Sequence, residues 1–228
     1  MMRALIVAGA ALLAMPAGSG EARTPAVVQQ VTPKAFSYVP ANLTAPAPLV
    51  VLLHGAGGDA RNFLRQFERD ADERGVILLS VQSAGRTWAQ RKPTDEEKDV
   101  ADIKAAIVAL SSRSQVADGR TSVMGFSDGA SYALSIGLAY PELFRTIVAF
   151  SPGYAFGPAE LDTTQRIFIA HSRRDPVLPA ANVRAMVKAF EEAGYAPEVN
   201  WFNGGHEIDP QLRKLAFDFA LAPTQTPR

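Results

Sequence analysis

"SVMGFSDGAS", residues 122–131, runs from an apolar stretch through Gly125-Phe126-Ser127-Asp128-Gly129 into small residues. Two readings compete for it. A strand followed at once by Gly-x-Ser-x-Gly and a helix describes a serine raised on a sharp turn. The other reading is an ordinary strand, turn and helix that happen to contain glycine and serine. A turn that lifts a hydroxyl above a sheet is strained, and neighbours without side chains let strand and helix close on it. Gly125 and Gly129 meet that demand, and Ala130 and Ser131 keep the start of the helix slim. A helix beginning just after Ser127 also favours negative charge developing there.

Working outward, apolar runs and helical patterns alternate. Residues 36–39 and the continuous apolar run 49–53 read as strands, the second of a kind buried on both faces of a parallel sheet. Residues 62–74 carry Phe63, Phe67 and Ala71 on one helical stripe. A strand follows over 76–81, then a polar segment over 82–98 holding Trp88, then a helix marked by Val100, Ile103, Ile107 and Leu110. Strands are predicted over 121–126, 146–150, 166–170 and 198–202, and helices over 130–140, 183–193 and 212–221. This alternation predicts one α/β domain, a mostly parallel sheet covered on both faces. In such sheets ligands bind beyond the carboxyl ends of the strands, so chemistry is sought there.

Lys+Arg and Asp+Glu are 23 each, and no basic stripe marks a nucleic-acid partner. The absence of cysteine removes disulfides, thiolate metal sites and a cysteine nucleophile. The first residues form a separate segment. Met1-Met2-Arg3 is a short positive start and residues 4–15 are apolar. Pro16, Gly18 and Gly20 then break the run, with small residues Gly20 and Ala22 placed for cleavage. Residues 1–22 are therefore expected to be a signal peptide, with Ala17, Ser19 and Gly20 as competing cleavage points, and residues 23–228 the mature domain. The expected location is the periplasm or the exterior, with no membrane anchor after cleavage, since the apolar run is too short to span a bilayer.

A serine hydroxyl needs a base, and the base needs an orienting acid. The chain has three histidines, His54, His171 and His206. The serine turn resembles that of the α/β-hydrolases, and in them the chain order is serine, then an acid, then histidine. Asp175 follows the strand 166–170, and His206 follows the strand 198–202 within Gly204-Gly205-His206-Glu207. His171 is the alternative base, and Asp162 and Asp209 are weaker rivals for the acid. His54 is read as a brace for the glycine-rich turn His54-Gly55-Ala56-Gly57-Gly58. That turn and the residue after the serine are placed to supply two backbone N–H groups to an oxyanion, from Ala56 (or Gly57) and Asp128. The glycines do not form a phosphate-binding G-x-G-x-x-G, and no Lys-Ser/Thr follows.

With these residues assembled, the stretches "VVLLHGAGGDARNF", "VMGFSDGASYAL", "FSPGY", "IAHSRRDPVLP" and "NGGHEI" resemble the α/β-hydrolases. More narrowly the chain is similar to the small carboxylesterase, phospholipase and dienelactone-hydrolase-like group. The resemblance spans residues 49–208 and implies a triad of Ser127, Asp175 and His206 with no metal or cofactor. It implies a serine esterase working through an acyl-enzyme on small soluble ester substrates. The alternatives it leaves are a polymer-ester depolymerase, a feruloyl-type esterase, or a catalytically dead hydrolase fold used for binding. Two departures from the group's pattern bear on substrate. Dienelactone hydrolases use cysteine where this chain has Ser127, and residues 151–165 are too few for the helical lid of larger lipases. Trp88, Tyr154 and Phe156 are the expected walls of an open, shallow substrate site.

Overall fold

A computed structural model describes residues 26–223, apart from 42, 44–45, 89–92 and 158–161. The signal-peptide expectation for residues 1–22 therefore lies outside the described residues. Eight strands form one sheet: β1 (Gln29–Thr32), β2 (Ala35–Tyr38), β3 (Ala47–Leu53), β4 (Ile77–Val81), β5 (Val116–Phe126), β6 (Thr146–Phe150), β7 (Arg166–Ser172) and β8 (Glu198–Phe202). Their spatial order is β1-β2-β4-β3-β5-β6-β7-β8. Strands β3 to β8 are mutually parallel, and β1 and β2 add an antiparallel margin.

The apolar runs explain the layering. Alternate side chains of one strand face opposite sides of a sheet. Leu49, Val51 and Leu53 pack in one core with Val123, Ile147 and Ile169, under α3 (Pro93–Ser111), α4 (Asp128–Ala139) and α5 (Ala180–Glu192). Val50 and Leu52 pack in the other with Met124, Val148 and Phe168, under α1 (Ala60–Arg65), α2 (Glu68–Arg74) and α6 (Pro210–Leu221). A strand buried on both faces is apolar along most of its length, as β3, β4 and β6 are; the buried Ser80 of β4 donates its hydroxyl to Leu52 O at 3.3 Å.

Beyond shifts of one to three residues at element ends, four elements differ from the sequence reading; one is β5, which begins at Val116 rather than at 121. The helix expected over 62–74 is two helices broken at Gln66 and Phe67. Phe67 leaves helical geometry (φ −114°, ψ 2°) yet is fully buried, its ring 5.1 Å from Phe63 and 5.9 Å from Phe217. Core packing outweighs helix continuity there. The lead-in at 23–34 contains β1, a four-residue edge strand whose side chains alternate too little to register as a pattern. Helix α3 begins inside the segment read as polar, at Pro93. Among the described residues of 151–165 there is no helix.

Candidate active site

The opening stretch forms the strand–turn–helix it suggested. Strand β5 ends at Phe126 and α4 begins at Asp128, so Ser127 alone makes the turn, at φ +57° and ψ −120°. That backbone is uncommon for a residue with a Cβ. It is held because the Ser127 N–H donates to Phe150 O at 2.8 Å and its carbonyl accepts from Ala130 and Ser131. Both glycines are required by close approach. A Cβ on Gly125 would lie 2.1 Å from Gly129 O, and one on Gly129 would lie 2.2 Å from Leu53 O.

His206 reaches this serine from the loop after β8. Its Nε2 lies 2.8 Å from Ser127 Oγ and its Nδ1 lies 2.7 Å from Asp175 Oδ2. Asp175 sits in the turn after β7 with a buried carboxylate. Its other oxygen, Oδ1, accepts the N–H groups of Val177 (2.8 Å) and Leu178 (2.9 Å). Burial pushes the Asp175 pKa up, but the bonds from His206, Leu178 and Val177 outweigh it and hold the acid below its usual range. The Phe126 ring lies 5.0 Å from the His206 imidazole.

The turn 54–58 lies against Ser127. A Cβ on Gly55 would be 3.4 Å from the Ser127 Cβ. Gly57 N–H donates to Arg86 O at 2.6 Å and Gly58 N–H to Gly55 O at 2.9 Å. Gly57 is thereby committed. The N–H groups of Gly55 and Ala56, before it, have no acceptor among the described residues. Asp128, the first residue of α4, stands at the positive end of that helix.

The other two histidines do not face Ser127. His54 is buried and braces the turn. Nδ1 donates to Gly55 O at 2.8 Å, while Nε2 accepts the backbone N–H of Ser83 at 3.3 Å. Because Ser83 N–H can only donate, His54 is neutral with its proton on Nδ1. His171 is fully buried, with Nε2 3.0 Å from Leu178 O and 3.8 Å from Asp175 Oδ2. Burial lowers both pKa values.

Among the three expected walls, Trp88 is a correction. It is 1% exposed, stacked 5.0 Å from Tyr132 at 15°, and its Nε1 donates to His54 O at 2.7 Å. An indole wholly inside the core presents no surface to substrate. A large aromatic in a polar segment suggested a site wall, but its N–H found an internal carbonyl instead. Tyr154 is half-buried, with its hydroxyl 2.8 Å from Asp128 Oδ1. Phe156 is 48% exposed, its ring 5.3 Å from Tyr154.

Several site groups had escaped the sequence reading. The Asp128 carboxylate joins two loops. Oδ1 takes the Tyr154 hydroxyl, and Oδ2 takes the Thr87 hydroxyl and the Trp88 N–H, the latter at 3.1 Å. Gln82 donates to Gly58 O (3.2 Å) and accepts from Ala60 N (2.9 Å). Ser131 accepts the N–H groups of Gly153 and Tyr154. The available signal was position alone, since each lies within a few residues of a strand end.

The sheet order, the serine turn and the Ser127–His206–Asp175 line define an α/β-hydrolase. The chain belongs to the phospholipase/carboxylesterase family, whose model matches residues 36–219. It is accordingly a carboxylic ester hydrolase by family. Esterase YpfH of Escherichia coli is 27% identical over 191 residues, 75% of this chain and 80% of that protein. A feruloyl esterase B of Thermothelomyces thermophilus is 28% identical over 132 residues, 54% of this chain and 45% of that protein. The Bacillus cereus carboxylesterase structure shares the fold at TM-score 0.66 and 19% identity, with 82% of this chain and 92% of that one covered.

Proposed function

We propose that this protein is a serine esterase that hydrolyses small soluble carboxylic esters through an acyl-enzyme. The observation that carries the reading is the unbroken line from Ser127 Oγ to His206 Nε2 (2.8 Å) and from His206 Nδ1 to Asp175 Oδ2 (2.7 Å). In this scheme Ser127 Oγ attacks the ester carbonyl carbon as its proton passes to His206 Nε2. The carbonyl oxygen becomes an oxyanion and takes the N–H groups of Ala56 and Asp128. Collapse expels the alcohol, which carries away the His206 proton. Water then attacks the acyl-serine, again giving its proton to His206, and the acid leaves. Asp175 keeps the His206 proton on Nδ1 so that Nε2 faces the serine. These steps call on protein groups alone.

Small substrates are favoured because Tyr154 is bonded to Asp128, the residue after Ser127, and Phe156 packs exposed against Tyr154. The composition of residues 1–22 supports export. A fluorophosphonate probe tests the core of the reading. The purified protein should be labelled once, at Ser127, and Ser127→Ala should not be labelled. Hydrolysis surviving in Ser127→Ala would end it.

A further inference from the structure

His206 rides on a loop, residues 203–209, rather than on a strand or helix. That loop is tied to the sheet on both sides of the imidazole, each time by a serine hydroxyl. Ser172, the last residue of β7, donates its hydroxyl to Gly204 O at 2.5 Å and accepts Gly204 N–H at 3.2 Å. Ser151, the residue after β6, donates to Glu207 O at 3.3 Å. Gly204 lies two residues before His206 and Glu207 one after it. Both serines are fully buried. We propose that Ser151 and Ser172 are positioning residues for ester hydrolysis: a two-sided clamp that holds His206 Nε2 on Ser127 Oγ. The proposal rests on the serine-esterase reading above.

Two further observations support it. Ser151 has φ +51°, and Ser127 is the other non-glycine residue described with a positive φ. Glycine would adopt that backbone freely, but glycine has no hydroxyl to offer the histidine loop. Strain of this kind persists where the surroundings over-determine it, and here the Ser151 N–H is locked to Ala170 O at 2.8 Å. Ser172 also accepts the Arg174 N–H at 3.1 Å, which opens the turn carrying Asp175. One hydroxyl thus sets the acid turn and the base loop in register with each other. A displacement of the base by about 1 Å can lower a rate about 100-fold, so two hydroxyls on a loop are enough to matter.

The test uses Ser151→Gly, Ser172→Ala and the double variant, each read by fluorophosphonate labelling rate, labelling stoichiometry, kcat, KM and Tm. Glycine suits the positive φ, so Ser151→Gly should keep or raise Tm, which a merely structural serine would not predict together with lost activity. Each single variant should label roughly 10-fold more slowly at full stoichiometry, with kcat down in step and KM within about twofold, and the double variant roughly 100-fold. Labelling within about twofold of wild type in both single variants would overturn the clamp. Loss in one variant alone would overturn its two-sided form. Labelling of Ser127→Ala would instead overturn the serine reading, and the clamp with it.

Discussion

The Trp88 indole donates to the His54 carbonyl at 2.7 Å, and through that bond a buried aromatic supports the turn that carries Ala56. His54 itself ties the same turn to Gly55 and Ser83. Trp88→Ala should therefore damage stability and catalysis together. Emptying a site of this size costs about 3–5 kcal/mol. Loosening the oxyanion turn should lower kcat more than it raises KM, the reverse of what a pocket wall would do. Urea unfolding and steady-state rates on one short ester check both; a pure KM effect at unchanged stability would return Trp88 to the substrate site.

For the triad, Ser127→Ala and His206→Ala should each remove nearly all turnover, because the residues act as one unit. Asp175→Asn should lose about 10³–10⁴-fold, since the amide favours the wrong imidazole tautomer. The His171→Gln enzyme should retain most turnover, as His171 faces Leu178 O and not Ser127. Rates of the four variants against one p-nitrophenyl ester suffice; an inactive His171→Gln alongside an active His206→Ala would reverse the base assignment.

Stability should fall as pH drops below about 6.5. Burial holds His54 and His171 below the ordinary histidine value. In the unfolded chain both take up protons near pH 6.5, while in the folded protein they remain neutral to lower pH. The unfolded state then binds more protons, so the stability these two contribute is complete above about pH 6.5 and declines below it. Asp175, held low, loses its contribution only at more acidic pH, as pH falls through its folded value. Thermal unfolding across pH 5–8 measures the slope. His54→Gln, although less stable overall, should have a shallower one. An unchanged slope in that variant would refute the assignment.

Acyl preference should follow the open site. Each buried methylene gains about 0.8 kcal/mol only while it stays out of water. The rise in kcat/KM should thus cover the first few acyl carbons and then level. Phe156, 48% exposed beside Tyr154, should matter mainly through KM, and Phe156→Ala should flatten the rise. A p-nitrophenyl series from acetate to palmitate reads this. Best activity on emulsified triglyceride, with activation at the interface, would contradict it.

Export predicts a mature N-terminus near Arg23. Sequencing the N-terminus of protein from its native host decides the matter, and a cytoplasmic chain starting at Met1 would refute it.

Much of the site was legible because strand ends and glycines carry strong signals. The Gly-x-Ser-x-Gly turn, the late histidine and the acid between them follow from order along the chain and from the apolar runs that bury β3, β5 and β7. Three things were not legible, for physical reasons. The break at Phe67 depends on a ring packing against Phe217, 150 residues on, and no local pattern encodes that contact. Trp88 was misassigned because a polar sequence neighbourhood says nothing about where an indole finds its acceptor. The hydroxyls of Ser151 and Ser172 look like any small polar residues at a strand end, and their meaning comes from a loop that arrives 32 to 56 residues later.

The Asp128 carboxylate has a mechanical consequence. It takes Thr87 and Trp88 from one flanking loop and Tyr154 from the other, while its own backbone begins α4 next to Ser127. The two loops are moored to a single post. A bulky ester that pushes Tyr154 aside pulls on the same side chain that anchors the Trp88 loop, and hence on the turn bearing Ala56. Moving Tyr154 and keeping the turn 54–58 in place are therefore opposed demands. A variant selected for larger substrates must first move one loop to a new mooring.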